Sequence, residues 1–557
     1  MNPKQLNMPL LGPALAGLGS FIFVHRHPLR GDTAVAAELS AFVVSYGLLH
    51  FLDGASHGAA LLAALRLVAL QIATLALFTL AYRISPFHPL ARFPGPLINK
   101  LTSFRMMYIV YTGQRNRYIM DLHKNYGKFV RTSPNTLSIN SHAATAPIYA
   151  SGVPMDKTPA YSMGNLPGEG LFWMQHVKAH NERRRIWAKG FTPDNLERYF
   201  SIAERRCDQL MGCIDKRSDA DGVVNLQECI MHFGYDVMGD VAFGGSTEFE
   251  LMRDGDPDNL CEGSQLAVIA FEILGENPAL FQALAYLPVA DALVRLDARA
   301  EANLQVRRRA GAVGDNSDLV SYFLAAASNT QAKGPKLTDD DVRQDTIFTI
   351  AAGSDTTAGV LIIALFYLFC NAEACSKLQA ELDTAFPDPS EPLSHTIVNE
   401  LPYLNAVVEE GIRLGVPLPG FPRVVPKQGA LIDGEYVPGG TVVGVSIYAQ
   451  AMSEENFYPH PELFIPERWL PGGLGTDSIC RKAAQMAFQF GAFSCLGKPL
   501  AMAEIRIAIA KLVLNYDIKF APDFDPKAFF DGIINIRTTV MTYPLRVQAK
   551  RRVRSLI

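Results

Sequence analysis

The chain has 557 residues, 49% of them hydrophobic and 19% charged, with a formal net charge of −4. That length is enough to bury a large core, and the near-neutral balance excludes the basic face that a nucleic-acid partner needs. The eight cysteines form no CxxC pair and no disulfide framework, so they read as reduced thiols on the cytosolic side of a membrane.

Three apolar stretches come first. Met8–Val24 carries no charge, Thr33–Leu52 only Glu38, and Gly58–Tyr82 only Arg66. Each approaches the length that crosses a hydrocarbon core about 30 Å thick; the first, with Pro9 and Pro13, is the weakest span. A cleaved secretory leader is the competing reading, but no basic start or cleavage site stands out and more apolar spans follow. Arg26 and Arg30 lie between the first two spans, Asp53 after the second, and Arg83, Arg92 and Lys100 after the third. The positive-inside rule then predicts a lumenal N-terminus and a cytosolic body. Glu38 and Arg66 are expected to pack against each other or to snorkel. Pro86–Pro96 (PFHPLARFPGP) reads as a stiff connector, since proline fixes φ and removes donors. The layout expected is an anchor of two to three transmembrane helices over 1–83, a connector over 84–96 and a catalytic unit over 97–557.

That unit reads as mostly helical with short strands. Tyr126–Asn140 alternates around Ser133-Pro134-Asn135, as a β-hairpin does. Beyond an exposed loop expected over Ser328–Gly334 and Lys336–Leu337, Thr338 and Asp341 have capping-box spacing. They open a proline-free helix that runs from Val342 to about Lys377. Pro402–Leu414 predicts a shorter helix with proline at its first position, and Pro417–Pro426 and Tyr436–Ile447 predict strands and turns. After Cys495, Leu496, Leu500, Ala503, Ile507, Ala510 and Leu514 recur at helical spacing.

Phe488–Gly497 reads FQFGAFSCLG. Glycines on either side of Cys495 permit close backbone approach and positive φ. Free amides at the start of the next helix favour thiolate over thiol, and a soft thiolate suits iron. A buried cysteine in a glycine-rich turn fits the same residues, and the loop alone leaves both readings open. Glu410 and Arg413 share a helix face, as a surface pair or a buried one. Ala352–Thr357 (AGSDTT) is a poor helix interior by propensity, yet apolar residues flank it on both sides.

Taken together these segments resemble the cytochrome P-450 family. Phe488, Gly491, Cys495 and Gly497 match its haem-binding signature, and Lys498, Leu500, Ala501, Glu504 and Arg506 resemble the continuation in fungal members. Glu410-Gly411-Ile412-Arg413 matches the ExxR element, Pro466-Glu467-Arg468-Trp469 the PERF-type segment, and Ala352–Thr357 the oxygen-activation segment. His180–Arg184 resembles the helix that reaches the haem propionates. The resemblance spans about Pro89 to Leu545. It implies a mainly α fold with small β-sheets, preceded by the transmembrane helices.

The resemblance also implies roles. Cys495 would be the axial ligand of haem b iron, donating electron density that favours O–O cleavage. Asp355 and Thr356 would relay protons through water. His180, Arg184 and Arg423 would meet the propionates, with Phe488, Gly491 and Gly497 shaping the loop. Glu410, Arg413 and Arg468 would lock together beneath it. Arg183 and Arg185 read as a basic surface facing reductase or membrane. Two positions depart: Gln489 stands where a small or polar residue is usual, and Phe493 where the family carries a cation.

The implied reaction is insertion of one oxygen atom into a lipophilic small molecule of secondary metabolism, at the endoplasmic reticulum membrane with the catalytic unit cytosolic. Electrons would come from NADPH through a separate cytochrome reductase, with cytochrome b5 as a further donor; no flavin or dinucleotide glycine motif is present. Met155–Trp173, Phe271–Tyr286, the helix near Phe348, Pro417–Phe421 and Ile533–Ile536 are the expected pocket walls. A haem-thiolate isomerase or dehydratase is an alternative that has no need of the Asp355–Thr356 pair, and a membrane haem protein without turnover is another.

Overall fold

The computed structural model describes residues 11–150, 154–161, 167–245, 249–284, 291–310, 318–328, 336–388, 392–415, 420–535 and 539–553. Residues 8–10 of the first span, 329–334 of the expected loop, and 162–166, 285–286, 417–419 and 536 of the expected pocket walls lie outside the described residues.

The N-terminal stretches form α1 (Leu11–Arg26), α2 (Gly31–Gly47, extended by a wider turn over Leu48–Leu52) and α3 (His57–Ile84). Gly31–Leu52 and His57–Ile84 are long and apolar enough to cross a membrane, and their apolar windows are 0% and 6% buried within the protein. Side chains such as Leu39, Val43, Phe51, Leu65 and Leu77 are exposed along them, which fits a membrane anchor. Glu38 does not meet Arg66. It accepts a hydrogen bond from Gln71 (3.3 Å), and Arg66 is exposed, free to extend along the helix surface. The anchor touches the body where the Gly31 amide donates to Gln282 (2.9 Å) and Arg83 to the Leu101 carbonyl (2.7 Å).

The body is mainly helical with small sheets, as expected. The helices that build its centre are α4 (Val177–Ala188), α5 (Leu226–Phe243), α6 (Leu260–Gly275), α7 (Asp339–Cys370), α8 (Pro402–Leu414) and α9 (Lys498–Asn515). Thr338 and Asp341 exchange both bonds of a capping box at the head of α7 (3.1 and 2.9 Å). From Thr357 to Phe366 every residue of α7 is buried. Such an all-round apolar helix belongs at the centre of a large core, and 67% of its apolar window is indeed buried. The helix stops at Cys370, short of the expected Lys377. The Asn371 side chain accepts from the Ala374 amide (3.1 Å) and caps a new helix, Ala372–Ala385, a role asparagine fills well. α5 lies against α7 closely enough that a Cβ on Gly353 would sit 2.4 Å from Met238 Sδ.

A four-stranded sheet flanks this core in the order Phe129–Ser133, Thr136–Ile139, Val442–Val445, Arg423–Val424. The first pair is the expected hairpin; Thr136–Ile139 then runs parallel to Val442–Val445, and Arg423 pairs with Val443. Leu137, Ile139, Phe421, Val443, Val445 and Met486 bury one face of this sheet against the cysteine loop's approach. The sheet therefore places Arg423 beside that loop.

Candidate active site

The cysteine loop is closed by its own backbone. The Cys495 amide donates to the Phe488 carbonyl (2.9 Å) and the Gln489 amide to Met486 (2.9 Å). Gly491 has φ +65°, and a Cβ there would meet the Tyr149 carbonyl at 2.2 Å, so only glycine fits. Gly497 instead has an ordinary φ of −77°; the positive φ expected of both glycines is needed at one. Gln489 also adopts a left-handed backbone, at φ +60°. α9 begins immediately after Gly497, with Pro499 in its first turn.

Cys495 is exposed, yet burial is the leading influence on its thiol and raises it above the ordinary cysteine value. The Gly497 and Lys498 amides and the Arg184 charge pull the other way and favour thiolate.

A buried charge cluster is built on α8 and the segment that precedes the loop in the chain. Arg413 donates two parallel bonds to Glu410 (both 2.7 Å). Arg468 (3.0 Å), the Trp469 indole (2.9 Å) and the Ile465 amide (2.9 Å) donate to the same carboxylate. The remaining Arg413 donors go to the carbonyls of Ala451, Pro461 and Leu463. Burial opposes the Glu410 charge, but these partners hold its carboxyl below the usual range. The expected three-residue lock therefore has two further donors, Trp469 and Ile465.

At the loop itself α4 presents His180 and Arg184. Arg184 donates to the Ser494 carbonyl and to its hydroxyl (3.1 Å). Arg423 is 1% exposed; it donates to Gln489 (2.9 Å) and lies over the Phe493 ring at 4.5 Å. His180 packs on the same ring at 4.4 Å. Burial, then Lys157, Arg184 and Arg423, push its imidazole down to about 3, so it is neutral, and its Nδ1 has no partner among the described residues. Neither Arg184 nor Arg423 forms an ion pair with a carboxylate among the described residues. Arg183, expected at the surface, is buried and pairs with Asp345 (2.8 Å) and Asp341 (3.4 Å); Arg185 is exposed.

Asp355 and Thr356 sit on a stretch of α7 that stays helical throughout. Tyr235 of α5 donates to one Asp355 oxygen (3.0 Å) and Ser264 of α6 to the other (2.6 Å). Burial is the leading influence and pushes this carboxyl up to about 6. The Thr356 hydroxyl donates to the Ala352 carbonyl (2.7 Å), a back-bond that bends helices locally. Neither Tyr235 nor Ser264 carries a sequence signal, because each reaches Asp355 only through the fold.

Several expected pocket walls converge. Phe172 stacks on Phe348 at 4.6 Å and meets Trp173 at 4.8 Å; Trp173 meets Phe271 at 4.7 Å. Ile534 instead packs with Val110, Val540, Ile269 and Ile273 in a separate small cluster.

A loop that offers a reachable cysteine sulfur, next to half-buried Arg184 and buried Arg423 with no carboxylate partner among the described residues, suits a soft metal centre that brings its own anionic groups. That describes a haem-thiolate protein. The cytochrome P450 family model matches residues 93–546, and the chain belongs to that family. Its relatives include a monooxygenase of Phaeosphaeria nodorum, sthD, 31% identical over 82% of this chain and 94% of its own. Tryprostatin B 6-hydroxylase of Aspergillus fumigatus is 29% identical over 80% and 78%. Fusicoccadiene 8-ol C-16-hydroxylase of Phomopsis amygdali is 30% identical over 80% and 86%. The family and these relatives make the chain a haem-dependent monooxygenase by class, related to enzymes of fungal secondary metabolism.

Proposed function

We propose that the chain is a membrane-bound monooxygenase that places one atom of O2 in a lipophilic secondary metabolite, an alkaloid, terpenoid or polyketide-like compound, and releases the other as water. Two electrons come from NADPH through a separate cytochrome reductase, with cytochrome b5 as a further donor. Residues 1–83 anchor it in the endoplasmic reticulum membrane, 84–96 connect, and 97–557 form the cytosolic catalytic domain. Two relatives are named as hydroxylases, which supports hydroxylation as the form of oxygen insertion. The observation that carries the reading is the exposed thiol of Cys495 just ahead of α9, with the Gly497 and Lys498 amides and Arg184 around it.

The residues fit haem b. Cys495 would be its axial thiolate, His180, Arg184 and Arg423 would face its propionates, and Phe488, Gly491 and Gly497 would shape the loop that receives it. When bound, the cofactor supplies the oxygen chemistry. Burial raises the Cys495 thiol, and the Gly497 and Lys498 amides and the Arg184 charge offset part of that and would support a thiolate once iron is bound. Asp355, at about 6, is present in both protonation states near neutral pH. It can therefore release a proton and recover one from water within a cycle. Thr356, whose proton is committed to Ala352, keeps oxygen lone pairs to accept a water. Phe172, Phe348, Trp173 and Phe271 exclude bulk water and suit an apolar ligand.

The test is co-expression with a cytochrome reductase in microsomes. A thiolate-type CO difference spectrum and oxygenated products are expected, and Cys495→Ala should abolish both; an unchanged spectrum in that variant rejects the ligand assignment.

A further inference from the structure

Phe172 and Trp173 stand in a segment, 167–173, that is neither helix nor strand, so its amides cannot rely on a ladder for their acceptors. Two of them find acceptors on α7. Asp341 accepts from the Glu169 amide (2.9 Å) and Asp345 from the Leu171 amide (2.7 Å). Gly168 makes the approach possible: it has φ +78°, and a Cβ there would lie 2.5 Å from the Asp340 carbonyl carbon. Asp341, Asp345 and Phe348 follow at spacings of four and three, which puts them on one face of the helix. They meet Glu169, Leu171 and Phe172 in turn, the last by ring stacking at 4.6 Å.

Asp345 divides its two oxygens. One takes the Leu171 amide, and the other takes Arg183 of α4 at 2.8 Å. The side chain is fully buried, and burial pushes its carboxyl up while Arg183 and the Leu171 amide pull it back. A buried ion pair does little for net stability compared with apolar side chains of the same volume. The pair alone therefore does not account for an acid at this point of α7. A carboxylate does offer a backbone N–H a stronger acceptor than a neutral oxygen. The Trp173 amide donates to the Gly170 carbonyl (3.0 Å) and closes a turn with Leu171 at its second position. The clamp on Leu171 thus holds the whole turn, and with it the rings of Phe172 and Trp173.

We propose that Asp345 is a positioning residue that sets the ligand preference of this enzyme. By clamping the Leu171 amide to α7 it fixes the Phe172–Trp173 wall against Phe348 and favours ligands that carry a flat aromatic ring. Rings so fixed present ordered faces and edges for stacking, whereas rings on a loose segment must be ordered at each binding event. This rests on the reading of these rings as a wall of the ligand pocket and of Cys495 as the haem ligand.

The experiment uses the haem-loaded full chain in detergent and two probes, imidazole and 4-phenylimidazole. Both bind iron through the same kind of ring nitrogen and shift the Soret band. The ratio of their dissociation constants therefore reads the contact made by the added phenyl ring. Leu171→Pro deletes the clamped N–H and keeps the turn, because proline suits its second position, and it leaves Asp345 paired with Arg183. It should cut the preference for 4-phenylimidazole roughly tenfold, the low end for one charge-assisted hydrogen bond, with imidazole affinity unchanged. The double variant Asp345→Leu with Arg183→Met removes both charges of the pair and should lose the same preference. A merely structural aspartate would lower stability and leave the ratio alone. Wild-type preference in either folded variant would overturn the proposal, as would an equal loss of affinity for both probes; where one variant does not fold, the other decides. Phe172→Leu keeps the two readings apart. Unchanged preference there removes the pocket reading and the proposal with it, whereas a loss there with none in the clamp variants overturns the proposal alone. A thiolate-type CO spectrum in wild type tests the Cys495 reading separately.

Discussion

The cations around Glu410 and those that meet the cysteine loop differ in where their counter-charge comes from. In the first group, Arg413 and Arg468 share one carboxylate, Glu410, and spend their other donors on carbonyls. At the loop, Arg184 and Arg423 meet carbonyl, hydroxyl, amide and aromatic groups but no carboxylate among the described residues. The first group is complete within the chain and acts as structure. The second, in the reading proposed above, meets anions that the cofactor brings. Charged side chains of one type thus serve as scaffold or as binding site, and the counter-charge tells them apart.

The largest way to break that contrast is Glu410→Gln. It leaves two guanidiniums buried without an anion, at a cost of about 3–5 kcal/mol. Denaturant unfolding of the holoenzyme, followed by far-ultraviolet circular dichroism, should show a large fall in midpoint whether or not excess haem is present. A midpoint near wild type would mean that the cluster is not a structural lock.

The binding-side counterpart is Arg423→Met. The chain itself loses little, because methionine fills the same buried space without a charge to desolvate. With haem bound it should lose about 1.5–3 kcal/mol, the value of a charge-assisted hydrogen bond. Haem transfer to apomyoglobin should therefore quicken while the unfolding midpoint of the haem-free chain holds. Equal losses in both measurements would place Arg423 with the scaffold.

How far these groups could be read from sequence follows the distances that join them. Glu410 and Arg413 are three apart on one helix, and Arg468 sits in a recognisable tetrapeptide, so the lock was legible. The indole of Trp469 and the amide of Ile465 join it only through the three-dimensional path of the chain. The capping box at Thr338 and the helix over Pro402–Leu414 were legible because their signals are local. The break at Asn371 was not foreseen, although asparagine ahead of Ala372-Glu373 is itself a cap signal. Arg183 and Arg184 are neighbours in sequence but about 100° apart around a helix. Asp345, on a distant helix, draws the first inward, and periodicity could not say so.

Asp355 is a third kind of buried charge and gives the smallest effect, because hydroxyls rather than cations meet it. Its carboxyl is raised from 3.8 to about 6 by burial, so the folded chain holds a proton that the unfolded chain releases earlier. The folded state then binds more protons between about pH 4 and 6, and stability must fall as pH rises through that window. The contribution is fully present below pH 4 and lost above pH 6. Asp355→Asn removes the titrating group and keeps the shape, so the thermal midpoint of the variant should lack this decline, and the two curves should diverge between pH 4 and 6. Parallel curves would mean that Asp355 is charged throughout, as Glu410 is, and would remove the basis for treating it as an acid that gives and regains a proton near neutrality.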